Sequence, residues 1–310
     1  MRGAAPQFAK RQTMASAAPK RWTILEVIQW TTGFLAGRGV QEARLDAELM
    51  LSHVLGCPRI ALYTGFDKVL DPEQLAAYRK LIEQRGRRVP VEYLLGRTEF
   101  MGLEFAVDRR VLIPRHETEF VVEAILERCR ERKDAPITIL DLGAGSGNIA
   151  VSLAKRLERA TVYACDLSQA ALGVASENAK RHGVANRVHF RHGDLFGAFS
   201  GDSLAGKADF VASNPPYLSD ADWQAAPPEV REHEPREALL AGENGLAFHR
   251  RILADSPAFL APGGWLALEL GAGQAPAVRQ LAEATTAFDK VDTLKDYQGI
   301  ERVLVAQRER

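Results

Sequence analysis

Three cysteines, Cys57, Cys129 and Cys165, are too few and too scattered across 310 residues for a disulfide framework or a zinc pattern. They fit buried apolar positions in a reducing compartment. The seven histidines show no ligand spacing, so no metal site is expected. Excess charge of either sign is also missing: Lys plus Arg and Asp plus Glu stand at 40 each. No global field therefore draws the chain onto nucleic acid or anionic lipid. No apolar run reaches the ~20 residues of a membrane-spanning helix, and there is no internal repeat or low-complexity tract. Residues 1–21 carry Arg2, Lys10, Arg11, Lys20 and Arg21 but no acidic residue, and they lack the apolar stretch of a secretion signal. We read them as a disordered basic tail and place the protein in the cytoplasm. An organellar transit peptide, and hence a mitochondrial location, is the alternative that the same composition allows.

What is present is an ordinary globular composition, 46% hydrophobic and 26% charged, with length for about two domains. Residues 22–95 read as a small helical bundle. Ala47, Met50, Leu51 and Val54 recur at helical spacing, as do Leu75, Tyr78 and Ile82. Asp71 is expected to cap the latter helix, with Pro72 in its first turn. Asp46, Glu48 and His53 are read as a solvated face, and Arg85, Arg87 and Arg88 as a wet helix end. Residues 96–113 read as a β-hairpin linker, with strands 100–107 and 111–113 about the polar turn Asp108-Arg109-Arg110. From 114 to 310 strands and helices alternate, which specifies a mostly parallel sheet covered on both faces. The expected strands are 137–142, 161–165, 188–191, 208–213, 265–270, 291–294 and 301–306. The last two have no helix between them, so the terminal strand is expected to run antiparallel at the sheet edge.

The stretch Ile137-Thr138-Ile139-Leu140-Asp141-Leu142-Gly143-Ala144-Gly145-Ser146-Gly147 carries the first chemical signal. A β-branched run ends in an acidic residue and a glycine cluster, then gives way to helical sequence. Glycines let the backbone turn sharply and let a ligand approach, and the following helix N-terminus offers free N–H groups. The next strand-like run, Thr161 to Cys165, ends in Asp166, where a carboxylate can accept both hydroxyls of a ribose. Dinucleotide loops read G-x-G-x-x-G, whereas this one reads G-x-G-x-G with Asp141 ahead of it. It resembles the S-adenosylmethionine loop of class I methyltransferases.

Two later strand ends add to it. Asp194 is placed to accept from an adenine amino group, with Leu195 or Phe196 covering the ring. Asn214-Pro215-Pro216-Tyr217 is a turn in which two prolines remove backbone donors, leaving carbonyl groups free to accept. Asn214 adds a side-chain acceptor and Tyr217 an aromatic wall, a shape suited to a planar NH₂ group. One N–H would go to the Asn214 oxygen and the other to the Pro215 carbonyl.

Together these residues resemble the amino methyltransferases that act on planar nitrogens. The fuller likeness, covering nearly the whole chain from about Trp22, is to the peptide chain release factor glutamine methyltransferases. It runs through Ala43–Glu48, Tyr93–Gly96, Glu99–Phe105, Leu112–Glu119 and Glu234–Leu239. The resemblance implies an α/β class I methyltransferase fold of seven strands behind the helical bundle, with S-adenosylmethionine as cofactor. It implies methylation of the glutamine in the Gly-Gly-Gln loop of class I release factors, with the bundle gripping the factor. Gly143, Ala144, Gly145, Ser146, Gly147, Asp166, Leu195 and Asn214 would touch the cofactor, and Asn214, Pro215, Pro216 and Tyr217 the glutamine. His116, Leu195 and His233 depart from the residues that many relatives carry there. A glutamine methyltransferase of a ribosomal protein is the near alternative. A nucleic-acid amino methyltransferase or a silent binding module is more remote, since neither a basic groove nor a broken loop is evident.

Overall fold

The computed structural model describes residues 21–130 and 135–310. The tail expected over 1–21 therefore lies outside these residues, Arg21 excepted. The chain divides into two compact units, one through Gly86 and one from Arg87 to Arg310.

The first unit holds α1 (Ile24–Ala36), α2 (Ala43–Leu55), α3 (Arg59–Thr64) and α4 (Pro72–Arg85). Thr23 with Glu26 and Asp71 with Gln74 form capping boxes, each pair satisfying two backbone donors at a helix start. Leu35, Met50, Leu51 and Tyr78 fill the core. The reading of Asp46 and Glu48 as solvated is corrected here, because they are 3% and 1% exposed. Asp46 accepts from Arg85 Nε at 2.6 Å, so Arg85 is no wet helix end. Glu48 accepts from Arg44, Arg59 and the Tyr63 hydroxyl at 3.0, 2.8 and 2.7 Å. Buried carboxylates persist only when paired, and most of these partners come from other helices, out of reach of a helix-by-helix reading. His53 is exposed as expected.

The second unit opens with α5 (Val91–Leu95) and the antiparallel pair β1 (Arg97–Phe100) and β2 (Leu103–Ala106). The hairpin turn is Met101-Gly102, with φ 53 and 73°. Positive φ at both centres matches the twist of the flanking strands. The expected turn at Asp108–Arg110 does form, with the Val111 N–H donating to the Asp108 carbonyl at 3.1 Å and the Asp108 side chain accepting from the Arg110 backbone and guanidinium. It joins no hairpin strands, and that part of the expectation is corrected. Val111 and Ile113 are buried without strand partners.

Then follow α6 (Glu119–Arg128), β3 (Ile137–Leu142), α7 (Asn148–Arg156), β4 (Ala160–Asp166), α8 (Gln169–Arg181), β5 (Val188–His192) and β6 (Ala208–Ser213). The chain continues through α9 (Asp220–Ala225), α10 (Pro228–His233), α11 (Ala247–Phe259), β7 (Leu260–Glu269), α12 (Ala275–Ala284), β8 (Phe288–Lys295) and β9 (Glu301–Arg308). The sheet order is β5-β4-β3-β6-β7-β9-β8, with β3 to β7 parallel. The seven-stranded, mostly parallel α/β sheet is the class I methyltransferase architecture. The antiparallel strand is β9, but it lies between β7 and β8 rather than at the edge. Its run Val303 to Ala306 is buried throughout, as a strand flanked on both sides should be. Alternate strand residues serve opposite faces: Ile139, Val162 and Phe210 join the core under α6 and α7, while Leu140, Val211 and Leu266 join that under α11 and α12. Among the described residues no helix is long and apolar enough to cross a membrane.

Candidate active site

In an open parallel sheet, ligands collect at the carboxyl ends of the strands. Here the ends of β3, β4, β5 and β6 open into one cavity of about 430 Å³, within the roughly 300–1,000 Å³ of small-molecule sites.

The turn after β3 takes its shape from three left-handed glycines, Gly143, Gly145 and Gly147, at φ 81, 53 and 80°. A Cβ on Gly145 would meet nothing within 4 Å, whereas one on Gly147 would press Ala175 at 3.1 Å. Gly145 thus keeps the backbone open to the cavity, while Gly147 lets α7 pack close to α8. Asp141 is fully buried and lies outside the cavity lining. Its Oδ2 accepts the Ala150 N–H at 3.1 Å, capping α7 from within, and its Oδ1 has no partner. Burial pushes this carboxyl up to about 7.

Asp166 lines the cavity. One of its oxygens accepts the Gly145 N–H and the other the Ser168 N–H, each at 2.8 Å. Burial raises its pKa, and the Ser168 and Gly145 N–H groups pull it back. Each carboxylate oxygen retains a lone pair for a ligand hydroxyl. Asp194 also lines the cavity and holds Arg251 at 2.7 Å. Leu195 lines it too, in a left-handed conformation at φ 47°. Phe196 does not: it is buried and stacked on Phe259 at 4.6 Å, which removes it as a cover for adenine.

The far side is built from separated segments. Asn214, Pro215 and Pro216 line it at the end of β6. Asn214 Nδ2 donates to Thr118 Oγ1 at 2.9 Å, and Thr118 Oγ1 donates to Glu269 Oε2 at 2.6 Å. Tyr217 stands outside the lining; its hydroxyl points to Glu269 Oε1 at 3.4 Å, and its backbone oxygen accepts from Gln274. Glu269 is 1% exposed, and burial pushes its pKa up to about 7. Arg115, another lining residue, pairs with buried Glu234, which also accepts the Ile113 N–H at 3.2 Å. That pair braces the 113–118 segment against the residues preceding Pro235.

Gly143 to Ser146, Asp166, Asp194, Leu195, Asn214, Pro215 and Pro216 are therefore brought to one cavity, while Gly147, turned to Ala175, and Tyr217 stand outside its lining. Sequence reading missed Glu269 and the pairing of Arg115 with Glu234. The signal for Glu269 was a lone charge in the run Leu266-Ala267-Leu268-Glu269-Leu270. Cys129 and Cys165 are buried and Cys57 half-buried, all as free thiols. Among the described residues no group of His, Cys, Asp or Glu is placed to hold a metal.

The site suits an adenosyl sulfonium cofactor. Left-handed glycines, a strand-tip carboxylate facing the cavity and a helix N-terminus capped from inside form a compact cradle without a pyrophosphate seat. Comparison with known proteins agrees. Residues 26–96 match the PrmC N-terminal domain and residues 117–227 the Methyltransferase small domain. A release factor glutamine methyltransferase from Geobacter sulfurreducens is 47% identical over 286 residues, 92% of this chain and 97% of the relative. One from Rhodopirellula baltica is 41% identical over 93% of this chain and 97% of the relative, and one from Chlorobaculum tepidum 41% over 92% and 97%. With likeness at this level running through both the helical unit and the cavity-bearing unit, this chain belongs to the release factor glutamine methyltransferase family.

Proposed function

We propose that this protein transfers a methyl group from S-adenosylmethionine to the side-chain amide nitrogen of a glutamine, the one in the Gly-Gly-Gln loop of class I release factors. The observation that carries this reading is the Asn214 turn. The Asn214 NH₂ is tied back to Thr118, so its Oδ1 is the end left for a ligand. Pro215 has no N–H, and among the described residues nothing donates to its carbonyl oxygen. Two acceptors side by side, with no competing donor, fit an incoming NH₂ and reject groups that only accept.

An amide nitrogen is a weak nucleophile because its lone pair is delocalised. S-adenosylmethionine supplies a methyl group on a sulfonium that departs as a neutral thioether, so departure needs no acid. The chain's own task is positioning. Asn214 and Pro215 would hold both amide hydrogens, aim the lone pair and stabilise the nitrogen as it loses planarity; the nitrogen, cationic once methylated, would then release one of those hydrogens as a proton to solvent. Bringing reactants to about 3–3.5 Å in line contributes up to roughly 7–11 kcal/mol in favourable systems. Asp166 and the glycine turn would hold the ribose and the amino-acid end of the cofactor. The cavity lining is largely apolar.

The helical unit is assigned the grip on the intact protein substrate. It exposes Ile60 at 70%, Phe66 at 52% and Trp30 at 52%, which suits a protein partner better than phosphate-rich nucleic acid. The cytoplasm is the location proposed with this reading.

The deciding experiment offers the protein methyl-labelled cofactor with intact release factor, ribosomal proteins or nucleic acid, and locates the label by mass spectrometry. Methylation of the glutamine in Gly-Gly-Gln is the expected result. Label on a ribosomal protein or a base, with none on the release factor, sinks the reading.

A further inference from the structure

Glu269 sits at the end of β7, lines no part of the cavity and yet touches Thr118 and Tyr217 through its two oxygens. The direction of these hydrogen bonds matters. An ionised carboxylate only accepts, so Thr118 must give it its single hydroxyl hydrogen at 2.6 Å. The Thr118 oxygen is then left to accept, and the partner it finds is the Asn214 NH₂ at 2.9 Å. The two ends of an Asn side chain are alike in size and differ only in hydrogen-bonding sense. Nothing else among the described residues bonds the Asn214 side chain, so this chain of bonds alone decides which end faces the cavity.

We propose that Glu269 is a positioning residue that acts through Thr118 to hold the Asn214 amide with its oxygen toward the substrate NH₂. This deepens the reading of function given above and rests on it. The alternative state makes the consequence plain. A neutral Glu269 can donate to Thr118, and Thr118 can then donate to the Asn214 oxygen. The amide turns over and presents its NH₂ to the cavity. A donor there cannot accept from an incoming amide N–H, and the nitrogen is no longer aimed.

The surroundings keep both states within reach. Burial raises the Glu269 pKa and the Thr118 hydrogen bond lowers it; Glu117 raises it, while Tyr217 and Arg302 lower it. Arg302, on β9, is itself held by Asp296 at 2.9 Å. From α11, His249 places its Nε2 2.9 Å from the Glu269 backbone oxygen, and burial lowers its own pKa.

The test measures single-turnover methylation of intact release factor against pH for the wild type, Glu269→Gln, Thr118→Val and Thr118→Ser. Binding of S-adenosylhomocysteine and thermal unfolding are followed in parallel. The wild-type rate is expected to fall on the acid side with a midpoint near neutrality. Glu269→Gln can donate to Thr118 and should lower kcat about 10–100-fold, the scale typical for losing a partner that orients a ligating group. It should also erase the acid-side fall. Thr118→Val, which cuts the chain while leaving Glu269 to titrate, should do both as well. Thr118→Ser should restore most of what Thr118→Val loses, and cofactor-product affinity should stay as in the wild type. A merely structural Glu269 would move unfolding and leave the pH profile in place. The proposal is overturned if either slow variant keeps the wild-type profile, or if Thr118→Ser is as slow as Thr118→Val. Should Glu269→Gln fail to fold, the Thr118 pair and the wild-type profile still decide. A wild type that leaves release factors unmethylated overturns the reading of function, and the proposal with it; a methylating wild type with unaltered variants overturns the proposal alone.

Discussion

The two sides of the cavity are made in different ways. The glycine side is backbone: a contiguous turn, Leu142 to Gly147, set by left-handed φ, by the Cys165 carbonyl that accepts the Gly143 and Ala144 N–H groups, and by one carboxylate, Asp166, that accepts the Gly145 N–H. The Asn214 side is side chains: Thr118, Asn214 and Glu269 arrive from the turn before α6, the end of β6 and the end of β7. On the first side conformation does the selecting, because only glycine takes that backbone without strain. On the second, the sense of each hydrogen bond does. A cofactor common to many enzymes can be met by a local turn. A particular planar nitrogen has to be met by acceptors held from several directions.

The largest effect expected from breaking this comparison is at Asn214. Asn214→Ala removes one of the two acceptors proposed for the amide and should cut single-turnover rate about 10²–10³-fold, or roughly 2.7–4 kcal/mol, as loss of one preorganised hydrogen-bonding group does elsewhere. Affinity for S-adenosylhomocysteine should hardly change. A small loss of rate would mean that Asn214 does not hold the nitrogen.

Asp166→Ala should act the other way round, on cofactor affinity before rate. It removes the proposed acceptor for ribose hydroxyls and also frees the Gly145 and Ser168 N–H groups. Hydrogen bonds to a charged group contribute about 1.5–3 kcal/mol, so calorimetric titration should show affinity for S-adenosylhomocysteine weakened by about tenfold or more. Unchanged affinity would mean that the second strand tip takes no part in holding ribose.

The same division explains what was legible in the sequence. The glycine turn, the Asp166 tip, helix 169–181 and strand 208–213 could be read because each is a local pattern, and local patterns set local backbone. Asp46 and Glu48 were misread because their arginines come largely from other helices. Glu269 was passed over because a lone acid in an apolar strand means nothing until Thr118 is known to lie beside it. The hairpin turn was misplaced because Asp108-Arg109-Arg110 looks more turn-like than Met101-Gly102. The tie of Asn214 to Thr118 spans 96 positions of chain, and no spacing rule reaches that far.

A third expectation concerns stability, and its sign opposes activity. The Glu269 pKa stands at about 7, above its ordinary 4.5. A carboxyl raised in the folded state contributes stability that is full below the unfolded value and is lost as pH rises through the folded one. Glu269→Gln should therefore unfold with the wild type at pH about 4, since both side chains are then neutral. The variant should gain on the wild type between about 4.5 and 7 and level off above, by an amount on the order of 1–3 kcal/mol. Thermal melts across pH measure this. A gain at low pH that vanishes at high pH would show that Glu269 is held as a carboxylate more firmly than its burial implies.

The smallest effect tests whether backbone rules the glycine side throughout. Leu195 lines the cavity beside Asp194, and its backbone is left-handed at φ 47°. The neighbouring ring, Phe196, is committed to Phe259 in the core. Leu195 is thus the side chain proposed to cover adenine beside Asp194, and the aromatic ring that the lining holds is that of Phe248. Leu195→Phe keeps a Cβ at the same strained position, so the strain is nearly equal in both proteins and cancels. What remains is a ring offered to the adenine, and stacking of this kind contributes about 0.5–1.5 kcal/mol beyond burial, or roughly two- to tenfold in affinity. Titration of both proteins with S-adenosylhomocysteine should show tightening of that size, with the methylation rate at saturating cofactor unmoved. If the ring instead turns inward to join Phe196 and Phe259, affinity will stay level or fall. The adenine end would then be set by the turn around Gly193 and Asp194, and Leu195 would add no selection of its own on this side of the cavity.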